Sequence, residues 1–531
     1  MSVTPPEPAW GPSRKHALRT VARNVSTRYV LVLADMAIGL ALLPFNLAYL
    51  GKAEYGLWIL LGSVTMHFSA FEMGNSGALV KFMAQYRAHN NARAINEIAS
   101  TMFFTLALVG MTAYALLAGV AFNLEHLFNI TPEQAQVGQW VLLMIGVHAI
   151  FNFPFGVFGS VTGGFQRYDV NNVVAIVTTV AAASVNVAVV LAGYDLIHLV
   201  AATTAVRMSA YLAYRANAYR VFPELQVRPG LFRRARLKEV FGFSAYTTGI
   251  DWANKLNYQL DEVVLGAFLG PAAVAVWAPA ERVVSGVQRL TNQVNGVLFP
   301  LIVDSDQMNQ QRRLQQILLQ GTRFSLVMVV PIAAAIFVLA DPLIRGWLGS
   351  GADSVAGAIP VLQVLAIAVA FRVGDGTGTT LLKGAGRHKM LAGVHLGTGI
   401  VNVVLSALLI GPFGLMGVAY GTLIPIAAST IFILFPAACR RVGLPVAGAV
   451  RQAVLPAVWP ALVAASCLWL LQPHLPANLA GVALGSAAAG VLYLALFVGV
   501  AISRADRAFY WDKALQILQR GPRPTPSPAE V

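Results

Sequence analysis

The sequence predicts an all-α membrane protein that crosses the bilayer about fourteen times, as two parallel six-helix lobes followed by two further helices. Three observations predict it. Of 531 residues, 57% are hydrophobic and 11% charged, with a mean hydropathy of +0.65, whereas a soluble domain averages about 25% charged residues. The apolar residues gather into runs long enough to cross a bilayer, which takes ~20 residues each. Short motifs of the first half also return, in the same order, in the second.

The first run, Tyr29–Leu50, follows Arg14, Lys15, Arg19, Arg23 and Arg28. It is longer than the ~7–15-residue core of a signal peptide, so it reads as an uncleaved first helix. The runs continue at Tyr55–Met73, Ile98–Phe122, Val137–Val161, Val170–Leu191 and Leu196–Tyr214. After a basic stretch they resume at Phe241–Leu269, Ala272–Ile302, Leu318–Ala340, Ala358–Leu382, Leu391–Ile410 and Leu415–Ala438. Ala453–Leu471 and Leu479–Ile502 close the series. The chain then divides into a basic N-terminal segment (1–28), a first lobe (29–221), a basic linker (222–240), a second lobe (241–441), two added helices (442–502) and a tail (503–531).

Basic residues set the topology. Alternate connections hold Lys81, Arg87 and Arg93; Arg167; the cluster from Arg215 to Lys238; Arg312 and Arg313; Lys383, Arg387 and Lys389; and Arg440, Arg441 and Arg451. The intervening connections hold only Lys52 and Arg345. By the positive-inside rule both termini are cytoplasmic. The net charge of +14 therefore has a topological cause, and no nucleic-acid partner is expected. The linker RPGLFRRARLK fits either a basic segment on the anionic inner leaflet or a charged connector. Cys439 and Cys467 form no disulfide framework or metal spacing and read as small core residues.

The duplication rests on four matches. LGKAEYGLW (50–58) parallels LGPAAVAVW (269–277), each in a tight outside turn where Gly permits positive φ. GGFQRYDV parallels KGAGRHKM, with Gly164/Arg167 and Gly384/Arg387. Asn186 and Asn402, each between two valines, occupy matching places, and NARAINEIAS parallels QRRLQQILLQ. A six-helix unit has an even number of crossings, so the copies share one orientation. In transporters built this way the substrate path lies between the halves.

The stretch 241–290 places charges inside apolar runs. Asp251, Lys255, Tyr258 and Glu262 follow one helical face, and Arg282, Ser285 and Arg289 another. A charge at the bilayer centre costs ~2.5 kcal/mol or more, so a watery, protein-lined interior is expected.

PFNLAYLGKAEYGLWILLGSV, followed by FEMGNSGALVKFMAQY, resembles the opening of the polysaccharide-biosynthesis flippases of the multidrug/oligosaccharidyl-lipid/polysaccharide (MOP) exporter superfamily. LDEVVLGAFLGPAAVAVWAPAERV and LLKGAGRHK resemble later parts of the same family, so the likeness covers Arg28 to Arg441. Val274-Ala275-Val276-Trp277 departs from it where a Tyr is expected, as in Tyr55-Gly56. The resemblance implies a multi-pass protein of the bacterial inner membrane that moves a polyprenyl-diphosphate-linked oligosaccharide from the inner to the outer leaflet. It also implies two lobes around a central cavity, alternating access, coupling to H+ or Na+, and work beside polysaccharide polymerase or glycosyltransferase machinery. No other cofactor is implied.

An anionic lipid diphosphate needs fixed cations along its path. Lys255, Arg282, Arg289 and Arg372 are the substrate-binding candidates, since Arg grips phosphate through two donors. The alternative for each is structural neutralisation: Asp251 could pair with Lys255, and Asp375 with Arg372. Asp35, Asp251, Glu262 and Asp375 are the ion-coupling candidates, because buried carboxylates in transporters carry protons or bind Na+. Asp261 and Glu262 lie toward the outer end, within reach of water. The rival function is a cation-coupled multidrug antiporter of the same superfamily. An enzyme is disfavoured, since the outer loops, the longest around 123–136 and 341–357, leave no room for a catalytic domain.

Overall fold

The computed structural model describes residues 14–68, 75–242, 260–291, 293–502 and 507. They are helical with short connections, and eleven of the helices are long and apolar enough to cross a membrane. The helices are α1 (Arg14–Phe68), α2 (Asn75–Ala88), α3 (Ala92–Ala121), α4 (Leu124–Leu127), α5 (Pro132–Gly164), α6 (Tyr168–Leu191) and α7 (Leu196–Val221). They continue as α8 (Asp261–Phe268), α9 (Pro271–Thr291), α10 (Gln293–Gln307), α11 (Gln311–Val338), α12 (Ala340–Leu348), α13 (Ala358–Gly374) and α14 (Gly376–Gly384). The last are α15 (His388–Phe413), α16 (Leu415–Ala428), α17 (Phe435–Arg441), α18 (Val446–Ala449), α19 (Leu455–Leu471) and α20 (Leu479–Leu496).

Packing sorts the chain into two compact units. One holds the residues up to Gly286 with Trp347–Leu365 and Arg387–Ser429; the other holds Val287–Gly346, Ala366–Gly386 and the residues from Thr430. In the first, α5 packs against α2, α3 and α7, α6 against α1 and α7, and α15 against α16. In the second, α11 packs against α14 and α19, and α19 against α20.

Helix starts follow local chemistry. Thr131 and Gln134 form a reciprocal capping box, with Pro132 at the first helical position, where its missing N–H is no loss. Asn91, Asp195 and Asn478 accept from the first turns of α3, α7 and α20. Small residues let membrane helices approach. A side chain at Gly146 would strike Leu117 and Tyr114 of α3.

α1 is two helices joined at Gly51 (φ 75°). Gly270, its partner in the sequence repeat, has φ 80°. The duplication runs through the whole backbone: Asn90 (φ 51°) matches Asn309 (φ 53°), Gln166 (φ 61°) matches Gly386 (φ 74°), and Gly193 (φ 78°) matches Gly414 (φ 55°). Matched places in the two halves thus turn at positive φ, whether or not the residue is glycine.

Three expectations change. The connection holding Lys81 and Arg87 is the helix α2, whose Ala78, Leu79, Phe82 and Met83 join a buried cluster with Ile95, Ile98, Phe153 and Val161. Residues alternate between charged and core-facing there, so the Lys and Arg masked an amphipathic helix. The basic linker does not lie loose. It is strapped to α3: Asn96 bonds Glu224 O and Gln226 N (both 2.9 Å), Ser100 bonds Gln226 O and Arg228 N (both 3.1 Å), and Thr101 Oγ1 accepts from Arg233 N (2.9 Å). Arg236 then bridges Glu97 and Glu239, with Tyr86 Oη donating to Glu239. Desolvation, then that hydrogen bond, pushes the Tyr86 phenol up to about 12. Lastly, Cys439 is buried but Cys467 is exposed.

Candidate functional site

The first unit carries a charged group at the crossing of α1 and α9. α9 has its proline at Pro279 and then presents Glu281, Arg282 and Gly286. Arg282 is half-buried, and its guanidinium lies against the backbone of α1 at Gly39: a Cβ there would fall on Nη2 and Cζ. One turn along, Met36 Cε lies 3.5 Å from the Cβ position of Gly286. The two helices therefore meet through a glycine on each side, one opposite Arg282 and one opposite Met36. Tyr55, in the returning half of α1, is buried within electrostatic reach of Arg282. Ser285 Oγ donates to the Arg282 carbonyl at 3.2 Å. Asp35 is half-buried and stands four residues before Gly39, hence on the same face of α1.

Carboxylates gather beside this crossing. Glu262 accepts from Ser63 Oγ at 3.3 Å and is an electrostatic neighbour of Glu281 and Asp261. Asp261 Oδ2 accepts from Thr422 Oγ1 at 3.0 Å, and Asn402 Nδ2 donates to the same hydroxyl at 3.3 Å. Ser406 donates to Asn402 Oδ1 at 3.4 Å. Asp261 and Glu262, both half-buried, thus meet hydroxyls of other helices. The short α8 starts at these two acids and ends at the tight Gly270 turn, which fixes their place.

The second unit holds a different set. Asp375 is buried, with Oδ2 accepting from Thr379 Oγ1 at 2.7 Å. Its Oδ1 has no hydrogen-bond partner among the described residues and lies 3.3 Å from the Cβ position of Gly378. Nearby, the buried hydroxyls of Ser325 and Thr377 are 3.4 Å apart. Arg372 donates to Gln288 Oε1 at 3.1 Å. Arg289 is exposed at the end of α9. Arg282 and Ser285 belong to the first unit and Arg289 to the second. Lys255 and Asp251 lie outside the described residues.

Sequence reasoning missed Gly39, because a glycine in an apolar run carries no sign of what rests on it. It also passed over Arg323, a charge in a membrane span whose role here is structural. Arg323 is buried and donates twice to Gln452 O, at 3.0 and 2.7 Å. Pro456 lies four residues beyond Gln452 and has no N–H to offer that carbonyl.

A model of the polysaccharide biosynthesis protein family matches residues 49–356. Among curated proteins, the chain is 24% identical over 381 residues to the succinoglycan biosynthesis transport protein ExoT of Rhizobium meliloti, covering 70% of this chain and 71% of that one. It is 22% identical to the probable flippase AglR of Haloferax volcanii, covering 77% and 82%. A match to the probable low-salt glycan biosynthesis flippase Agl15 of the same organism is 22% identical, over 38% of this chain and 41% of the relative. Among solved structures, the lipid II flippase MurJ in an inward closed conformation shares the fold at a TM-score of 0.70 and 14% identity, covering 94% of this chain and all of that one. An inward-facing multidrug transporter of the MATE family aligns at 0.61 and 16%, covering 78% and 94%. With more than half of its length matched by that model, the chain belongs to the polysaccharide biosynthesis protein family, on the fold of the MOP exporter superfamily.

Proposed function

We propose that the protein moves a polyprenyl-diphosphate-linked oligosaccharide from the inner to the outer leaflet of a bacterial inner membrane, by alternating access and for surface or exopolysaccharide synthesis. The family and the relatives named as flippases support a lipid-linked sugar as cargo. One observation carries the reading to residues: Arg282, seated on Gly39 deep in the helical part of the first unit. A planar guanidinium fixed against a backbone keeps its outer donors aligned for phosphate oxygens. Arg289, Arg372 and Lys255 are proposed as further cations along the path. Asp35, Asp251, Glu262 and Asp375 are proposed to couple transport to H+ or Na+, with Glu262 foremost because two other carboxylates border it. Both termini are proposed to be cytoplasmic, where polymerase or glycosyltransferase machinery could hand over cargo.

Reconstitution tests this. Proteoliposomes holding a fluorescent polyprenyl-diphosphate disaccharide should show transfer between leaflets with the wild type, and slower transfer with Arg282→Ala and Arg289→Ala at equal protein content. Unchanged transfer by the double variant removes the cations from the path. The acidic group of Asp261, Glu262 and Glu281 favours a second reading, a cation-coupled multidrug antiporter. Export of cationic dyes without transfer of the lipid would establish it instead.

A further inference from the structure

A further cation lies on α7. Arg207 stands eleven residues past Leu196, ~17 Å along a helix that rises 1.5 Å per residue. It is therefore near the middle of the apolar run Leu196–Tyr214. Its side chain is exposed and forms no ion pair with another described residue. Facing lipid there would cost ~2.5–3.5 kcal/mol, and from mid-depth the side chain is too short to snorkel to the interface. Water at the exposed Arg207 side chain removes that cost, while its helix neighbours Thr203, Ala210 and Tyr211 stay buried.

What surrounds it is polar and aromatic. His148 of α5 is an electrostatic neighbour of Arg207. Tyr211, one turn on from Arg207, places its Oη 3.0 Å from His148 Nε2 and 3.3 Å from Asn152 Oδ1. The Tyr211 ring lies 5.4 Å from Phe155, and Phe155 lies 6.1 Å from the exposed ring of Phe151. Imidazole and amide groups on an aromatic base, with one guanidinium beside them, suit a ligand with both hydroxyls and phosphate. Sugar hydroxyls need the first, sugar C–H faces pack on the second, and phosphate takes the third.

We infer that the exposed and half-buried groups at this junction of α5 and α7 form a second contact surface for the cargo, Arg207 holding its diphosphate while His148 and Asn152, held in place by the buried Tyr211, meet its sugar. The inference rests on the flippase reading, and its test separates the two. Phe151→Cys is made in a chain lacking Cys439 and Cys467, and labelled with a membrane-impermeant methanethiosulfonate. Val177→Cys, on an exposed apolar face of α6, is the control. Phe151→Cys should label at least ~10-fold faster than the control, a difference equal to ~1.4 kcal/mol. A polyprenyl-diphosphate disaccharide should slow that labelling and the bare polyprenol should not. Adding Arg207→Gln should abolish the slowing but keep the labelling. Labelling as slow as the control, labelling without protection, or protection that survives Arg207→Gln each overturns the inference. If the wild type fails to transfer the lipid disaccharide at all, the flippase reading fails on its own measurement.

Discussion

At the scale of single residues, the membrane interior explains which side chains have no substitute. Gly39 is one, because the Arg282 guanidinium occupies the space of its missing Cβ. Gly39→Ala should displace that guanidinium, with an overpacking penalty of ~1–3 kcal/mol, and slow lipid transfer about as much as Arg282→Ala does. Transfer at the wild-type rate by Gly39→Ala would show that the seating is dispensable. Trp347 is another. Pro44 has no N–H, so the Leu40 carbonyl loses its helical donor, and Trp347 Nε1 supplies one at 2.9 Å. Trp347→Phe keeps the ring and leaves the carbonyl bare, which should cost ~1–3 kcal/mol. The same change in a Pro44→Ala background should cost much less, since the backbone then donates; equal losses by thermal unfolding would refute the link. Neither partnership was legible in the sequence. Pro44 and Trp347 are far apart in the chain, and no local pattern pairs a proline with the donor that answers it.

At the scale of elements, most of the spans were legible, eleven long apolar helices being found among the described residues, and the connections were not. Hydropathy marks a long apolar run wherever it occurs, but α2 and the linker strap are held by side-chain contacts between distant segments. The strap depends on Ser100, which bonds two linker backbone groups. Ser100→Ala leaves both unpaired, and trypsin should then cut faster at Arg233 and Arg234; an unchanged cutting rate would show that the strap is held elsewhere. The start of α7 should respond to pH. Its cap Asp195 is held below the usual carboxylate range, first by the backbone N–H of His198 and then by that residue's ring. A lowered carboxylate stabilises the helix start above the ordinary Asp value of ~3.9, and the contribution fades as pH falls below it. Hydrogen exchange at the His198 amide should therefore quicken between pH 5 and pH 3, beyond the intrinsic trend. Asp195→Asn retains an acceptor and should remove that dependence.

At the scale of the whole molecule, the duplication was legible because turn chemistry survives divergence. Four matched pairs of positive-φ residues record it, two of them glycine with glycine and one asparagine with asparagine. The fourth pairs Gln166 with Gly386, where sequence alone gave only the neighbouring Gly and Arg. The candidate site was legible in part. Arg282, Glu262 and Asp375 announce themselves as charges in apolar runs, but so do Arg323, which caps a carbonyl, and Arg207, whose role is proposed above. A charge in a membrane helix signals need without saying which need, and only its neighbours decide. The measurement closest to the heart of the account is leaflet transfer of a fluorescent polyprenyl-diphosphate disaccharide in proteoliposomes. The wild type should equilibrate the lipid between leaflets, and Arg282→Ala should slow this at least ~10-fold, a loss of ~1.4 kcal/mol in the barrier. Equal rates for the two proteins, or transfer no faster than in protein-free vesicles, would contradict it.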